Sequence, residues 1–217
     1  VFDRARMLNG EAASMQYFEL PATDWGNLLP ADVDGIAPPE GSPNYMLEVV
    51  DGDWDPMNWP QDALHLHRFH VDWANPANTT FNITPIIIPV EPFDGNMCNF
   101  QRNCIAQQSS TRRLDALSIG LMYRLAYRNF GDHESLVVNH TVDVGNDRAG
   151  IRWYEVRDPN GTPTIYQQGT YAPDDGLSRW LGSMAMDRAG NIGLGYNVSG
   201  TTLYPSIYYT GRLATDE

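Results

Sequence analysis

Three acidic residues alternate in the stretch "DGDWDP": Asp51, Asp53 and Asp55. Alternate carboxylates are hard oxygen ligands of the kind Ca²⁺ takes. The run is a candidate metal site, and calcium is the one cofactor the sequence suggests. It lacks the Gly and distal Glu of an EF-hand loop, so a solvated acidic turn is the competing reading. Further on, "LHLHRFHVDW" carries His65, His67 and His70. In a strand, His65 and His67 share a face at a spacing that can chelate a metal, while His70 and Asp72 fall on the other. No third ligand is legible for the histidine pair, and packing of an outer strand explains it equally.

Arginine and tyrosine recur together. "MYRLAYRNF" holds Arg124, Tyr127 and Arg128, and "IRWYEVRD" holds Arg152 and Tyr154. Strand alternation puts Arg152 and Tyr154 on one face and Trp153 and Glu155 on the other. Guanidinium groups beside phenols suit an anionic ligand, so these five residues are candidate ligand-binding groups. Hydrogen bonding between neighbouring strands is the alternative. No G-x-S-x-G elbow, P-loop or H-E-x-x-H occurs, so catalytic residues stay unassigned.

Cys98 and Cys104 stand in "NMCNFQRNC". Two thiols alone cannot supply the four ligands of a structural zinc site. The spacing predicts a local disulfide closing a surface loop, worth about 2 kcal/mol in loop entropy and formed in an oxidising compartment. Two unpaired thiols are the alternative.

The chain has 217 residues and a formal charge of −13, and all 14 of its basic residues are arginine. Such a chain lacks the basic stripe that binding to a phosphate backbone requires, so nucleic acid is not an expected partner. No apolar run is long enough for a membrane-spanning helix. The opening "VFDRARMLNG" lacks the apolar stretch of a signal peptide. It reads as the middle of a strand, which suggests a processed or truncated piece.

Helical periodicity is nearly absent, whereas short runs rich in Val, Ile, Tyr, Phe and Trp recur between Gly, Asn, Asp and Pro. They fall into repeating units of four strands, a to d. Residues 27–92 supply one unit and 113–172 a second. Residues 179–217 supply a, b and c of a third, and residues 1–26 the c and d half of another. An insert, 93–112, separates the two complete units. Gly35, Gly131 and Gly190 mark equivalent turns after strand a. Repeating four-stranded antiparallel units predict an all-β fold built of β-propeller blades, with a β-sandwich as the runner-up. About three blades cannot close a ring. The missing half of a larger propeller, or self-association of identical copies, is expected to complete it.

The stretch "SMAMDRAGNIGLGY" resembles blades of sialidase-like β-propellers, with Asp187 and Gly190 at turn positions of their Asp-box. "RWLGSMAMDRAGNIGLGYNVSGTTLYPSIYYTGRL" and "YRLAYRNFGDHESLVVNHTVD" resemble C-terminal parts of large secreted bacterial proteins. The resemblance implies a propeller fold and a secreted, extracellular location. Together these readings predict a secreted β-propeller module that binds glycans or protein partners at the cell surface, with catalysis unassigned. The alternative is a glycan-active enzyme, a glycoside hydrolase or polysaccharide lyase, with an Arg- and Tyr-lined site.

Overall fold

The computed structural model describes residues 1–20 and 27–216. Period-two patterning dominates it. In "IGLGYNVSG", Ile192, Leu194, Tyr196 and Val198 are buried, and Gly193, Gly195 and Asn197 face the other way. This is the alternation a strand imposes on its side chains.

Nine strands form the first sheet. Five belong to a first meander: β1 (Leu29–Asp34), β2 (Asn44–Val50), β3 (Ala63–His70), β4 (Thr80–Phe81) and β5 (Ile86–Pro89). Four belong to a second: β6 (Met122–Asn129), β7 (Glu134–Asp143), β8 (Ala149–Arg157) and β9 (Thr164–Tyr171). Pairing within each meander is antiparallel, and both β4 and β5 add to β3. The meanders join through their first strands. β1 and β6 run parallel, in register from Ala31 opposite Leu125 to Asp34 opposite Arg128.

Both meanders feed one core. Leu47, Leu64 and Leu66 from the first meet Leu125, Leu136 and Tyr154 from the second, all fully buried. The sheet therefore curls at the β1–β6 seam until its two arms face each other. Each leucine so buried contributes about 2 kcal/mol of transfer free energy, which sets the curl.

The second sheet has three strands, β10 (Ser178–Met186), β11 (Ile192–Gly200) and β12 (Leu203–Arg212). It covers the far face of the second meander, where Met184, Met186, Leu194 and Val198 pack on Ala126, Val137 and Ile151. The chain is thus three β layers stacked in sequence order. Gly35, Gly131 and Gly190, the expected turn markers, all adopt left-handed backbone, with φ of 77°, 93° and 85°. Glycine takes that conformation without steric cost.

The first twenty residues differ from the expectation of a c–d strand pair. They form a short helix, α1 (Arg4–Leu8), and a single bridge between Phe2 and Met15. Asp3 caps the helix by accepting from the Arg6 N–H at 3.1 Å. An Asp N-cap before Arg, Ala, Met and Leu, all good helix formers, outweighs the weak alternation of this segment. Residues 21–26 of that expected unit lie outside the described residues.

The insert carries the expected disulfide, Cys98 to Cys104, with a Cα–Cα distance of 5.7 Å. It is less superficial than its polar composition suggests. Cys104 is buried with Met97, Ile105, Ala116, Ala149 and Trp180 in a small core of its own. Among the described residues, no helix is long and apolar enough to cross a membrane.

Candidate functional site

The loop after β2 and the start of the insert are stitched together by two carboxylates. Asp51 is 2% exposed. Its Oδ2 accepts from the Gly95 N–H at 2.8 Å and its Oδ1 from the Asp53 N–H at 2.9 Å. Asp62 accepts from the Gly52 N–H at 2.8 Å and from the Phe93 N–H at 2.7 Å. Asp94 is held in turn: its carbonyl accepts from the Asp143 N–H at 2.7 Å, and its Oδ1 from the Asn96 N–H at 2.8 Å. Short acidic side chains beside Gly can bond backbone within a turn, and here they also bond between turns.

A cleft of about 620 Å³ opens between these loops. Its walls are Asn27, Asp51, Asp53, Trp54, Asp94, Asn96, Phe100 and Ile119. The Trp54 and Phe100 rings meet edge to face, centroids 5.8 Å apart. Gly95 lets the second loop close on the first, because a Cβ there would lie 2.8 Å from Cζ2 of Trp54.

Burial pushes the Asp51 carboxyl above its usual range. N–H donation from Gly95 and Asp53 opposes that rise, and the carboxylates of Asp62 and Asp53 add to it. No arginine or histidine stands among the lining residues. The cleft therefore offers hydrogen-bond acceptors, negative potential and aromatic surface. That combination receives hydroxyl or ammonium donors on an apolar body, and it repels anions.

Two of the three aspartates singled out by sequence, Asp51 and Asp53, line this cleft. Asp55 turns away and caps its own turn, accepting from the Asn58 side chain at 2.7 Å and its N–H at 3.3 Å. Among the described residues, one trio of acidic, His or Cys groups lies within ligand reach of a common point: Cys98, Cys104 and Asp147. Both of its sulfurs are in the disulfide. The Asp51, Asp53 and Asp55 carboxylates are not gathered in this way.

The five arginine and tyrosine candidates lie elsewhere and hold strands together. Arg124 pairs with Asp34 at 2.5 Å and Asp32 at 3.3 Å, clamping β6 to β1. Tyr127 is buried and donates to Glu134. Arg128 donates to the Met186 carbonyl at 2.7 Å, tying the second meander to the second sheet. Arg152 is 7% exposed and donates to Gln168 at 2.7 Å, the Glu91 carbonyl at 3.1 Å and Thr170 at 3.2 Å. Tyr154 is fully buried, its hydroxyl 2.9 Å from His140 Nε2. Burial, with the nearby Arg152 charge, holds that imidazole down at about 3, so it is neutral and packs between Tyr154 and Phe93.

His65 and His67 do share a strand face, and both are buried against Glu48. His65 Nδ1 lies 3.2 Å and His67 Nε2 3.9 Å from the same carboxylate oxygen. His67 Nδ1 donates to the Asn82 carbonyl at 2.8 Å.

Sequence reasoning missed Asn27, Trp54, Asp94, Asn96, Phe100 and Ile119. One signal was available: the Asp-Gly pair of "VVDGDW" recurs as "PFDGNM", and the Gly95 N–H of the second pair donates to Asp51 of the first. No family model, curated protein or solved structure matches the chain, so the functional reading rests on the cleft itself.

Proposed function

We propose that this chain is a β-propeller-type module of a secreted protein, and that it binds a glycan presenting hydroxyl or amino donors. The observation that carries binding is the cleft itself. Asp53 and Asp94 provide exposed acceptors beside the Trp54 ring, with the buried Asp51 carboxylate holding the two loops behind them, in a volume of about 620 Å³, within the usual range of small-ligand sites. A sugar ring offers donors on its rim and C–H groups on its face, which suits both features. The same carboxylates disfavour sialic or uronic acids. The stacking of successive meanders in chain order supports the propeller reading, and the disulfide supports an oxidising, extracellular setting.

An Arg- and Tyr-lined catalytic site, as in a hydrolase or lyase, has less support. Arg152, Tyr127 and Tyr154 are buried and bonded within the chain. A glycan array of neutral, amino and acidic glycans tests the proposal, run with the wild type, Trp54→Ala and Asp53→Asn. Binding is expected on neutral or amino glycans, and both substitutions should weaken it at unchanged circular dichroism. A preference for sialylated or uronate glycans would overturn the reading. Release of reducing ends from a bound glycan would assign a hydrolase instead.

A further inference from the structure

The second sheet repeats the strand register of the second meander. Counting from each first hairpin, Val137 opposite Glu155 corresponds to Gly195 opposite Tyr209. Likewise, Asn139 opposite Trp153 corresponds to Asn197 opposite Ile207. In the second meander this face is covered, because β10 and β11 pack on Val137 and Ile151. The equivalent face of the second sheet is open. Ile207 is 83% and Tyr209 89% exposed.

That face has a stepped shape. Ile207 and Tyr209 stand up along β12. Beside them, Gly193 and Gly195 have no neighbouring heavy atom within 4 Å of where a Cβ would sit. Ala185 and Ser183, opposite these glycines on β10, are also small. The face is therefore a ridge next to a shelf.

We propose that a second copy of this chain covers this face in a two-fold dimer. An axis running along β11 sets the ridge of each copy over the shelf of the other. This is the self-complementarity that an isologous interface requires. The alternative axis, across the strands, would set ridge on ridge. Charge favours the same contact. The chain carries a net charge of −13, yet residues 192–211 contain no Asp, Glu or Arg. Two copies meet there without bringing carboxylates together, as they would over the acidic cleft.

The sheet face sets the strength. Three strands about 4.8 Å apart and about 30 Å long present roughly 400 Å² in plan. Over both copies that is roughly 800 Å², below the standard size of specific interfaces and in the range of weak, transient ones, so the dimer is a weak one.

Sedimentation velocity from about 1 to 200 µM, without glycan, reads the dimer independently of the cleft. The wild type is expected to shift from monomer to dimer across that range. Tyr209→Asp places a charge on the ridge. Gly195→Leu fills the shelf at a position where a Cβ would meet no heavy atom within 4 Å. Each should raise the dissociation constant at least tenfold while melting as the wild type does. A wild type that stays monomeric throughout would overturn the proposal and leave the face to a sheet from another polypeptide. A dimer that both substitutions leave intact would overturn it too.

Discussion

Gly95 and Trp54 are in contact across the two loops of the cleft. A Cβ on Gly95 would lie 2.8 Å from Trp54 Cζ2 and 3.1 Å from Asp51 Oδ2. Contacts this close cannot persist, so Gly95→Ala must push the indole aside. The expected result is glycan binding weakened about as much as by Trp54→Ala, with a stability loss near 1 kcal/mol from overpacking. Isothermal titration of both variants with the best array glycan, beside thermal melts, checks it. Unchanged affinity for Gly95→Ala would separate Trp54 from the binding surface.

Glu48 sets an acid limit on stability. Burial alone would raise its carboxyl, but the hydrogen bond from His65 and the neighbouring His67 imidazole bring it from 4.5 down to about 2. A depressed native value means that protonation favours the unfolded chain. The contribution is complete above pH 4.5 and is lost as pH falls towards 2. It amounts to roughly 3 kcal/mol by linkage. Urea melts between pH 7 and 3 should show a decline that is shallower in Glu48→Gln. That variant should also be less stable at pH 7, because it removes the partner of two buried imidazoles.

Opening the disulfide should affect both stability and the cleft. Cys98 and Cys104 close a short loop, and the Cys98 N–H donates to Asp147 at 2.7 Å. Asn96 and Phe100, on either side of Cys98, line the cleft. The double substitution to Ser is expected to cost about 2 kcal/mol and to weaken glycan binding. Equal affinity with and without reductant would show that the cleft wall holds its shape without the crosslink.

Asp187 provides the contrast. It lies in the β10–β11 turn and accepts from the N–H groups of Ala189 at 2.7 Å and Asn191 at 3.0 Å, and from the Asn191 side chain at 2.9 Å. Asp187→Ala removes all three bonds and is expected to lower the melting temperature slightly, since solvent competes for each of these exposed bonds. Affinity for glycan should be unchanged, because this turn contributes nothing to the cleft lining. A loss of affinity at equal melting temperature would contradict the assignment.

The meanders were legible in sequence because their determinants are local. Alternation in "IGLGYNVSG" sets a face, and Gly35, Gly131 and Gly190 set the turns. The short spacing of Cys98 and Cys104 pointed to their pairing for the same reason. Local evidence also misled. The alternation in residues 1–20 was too weak to outweigh Asp3 capping a run of helix formers.

Long-range contacts decided the rest. Nothing in "LPADVD" or "MYRLAYRN" announces that β1 pairs with β6, since parallel pairing of distant strands leaves no local turn signal. That seam nevertheless brings two arms face to face and buries Arg152 and Tyr154, which in sequence look like ligand groups. The cleft is assembled from residues 27, 51, 53, 54, 94, 96, 100 and 119. A period-two pattern tells which side of its own strand a residue occupies. Whether that side meets solvent, another sheet or a loop from far along the chain depends on packing between elements, and only the tertiary structure contains it.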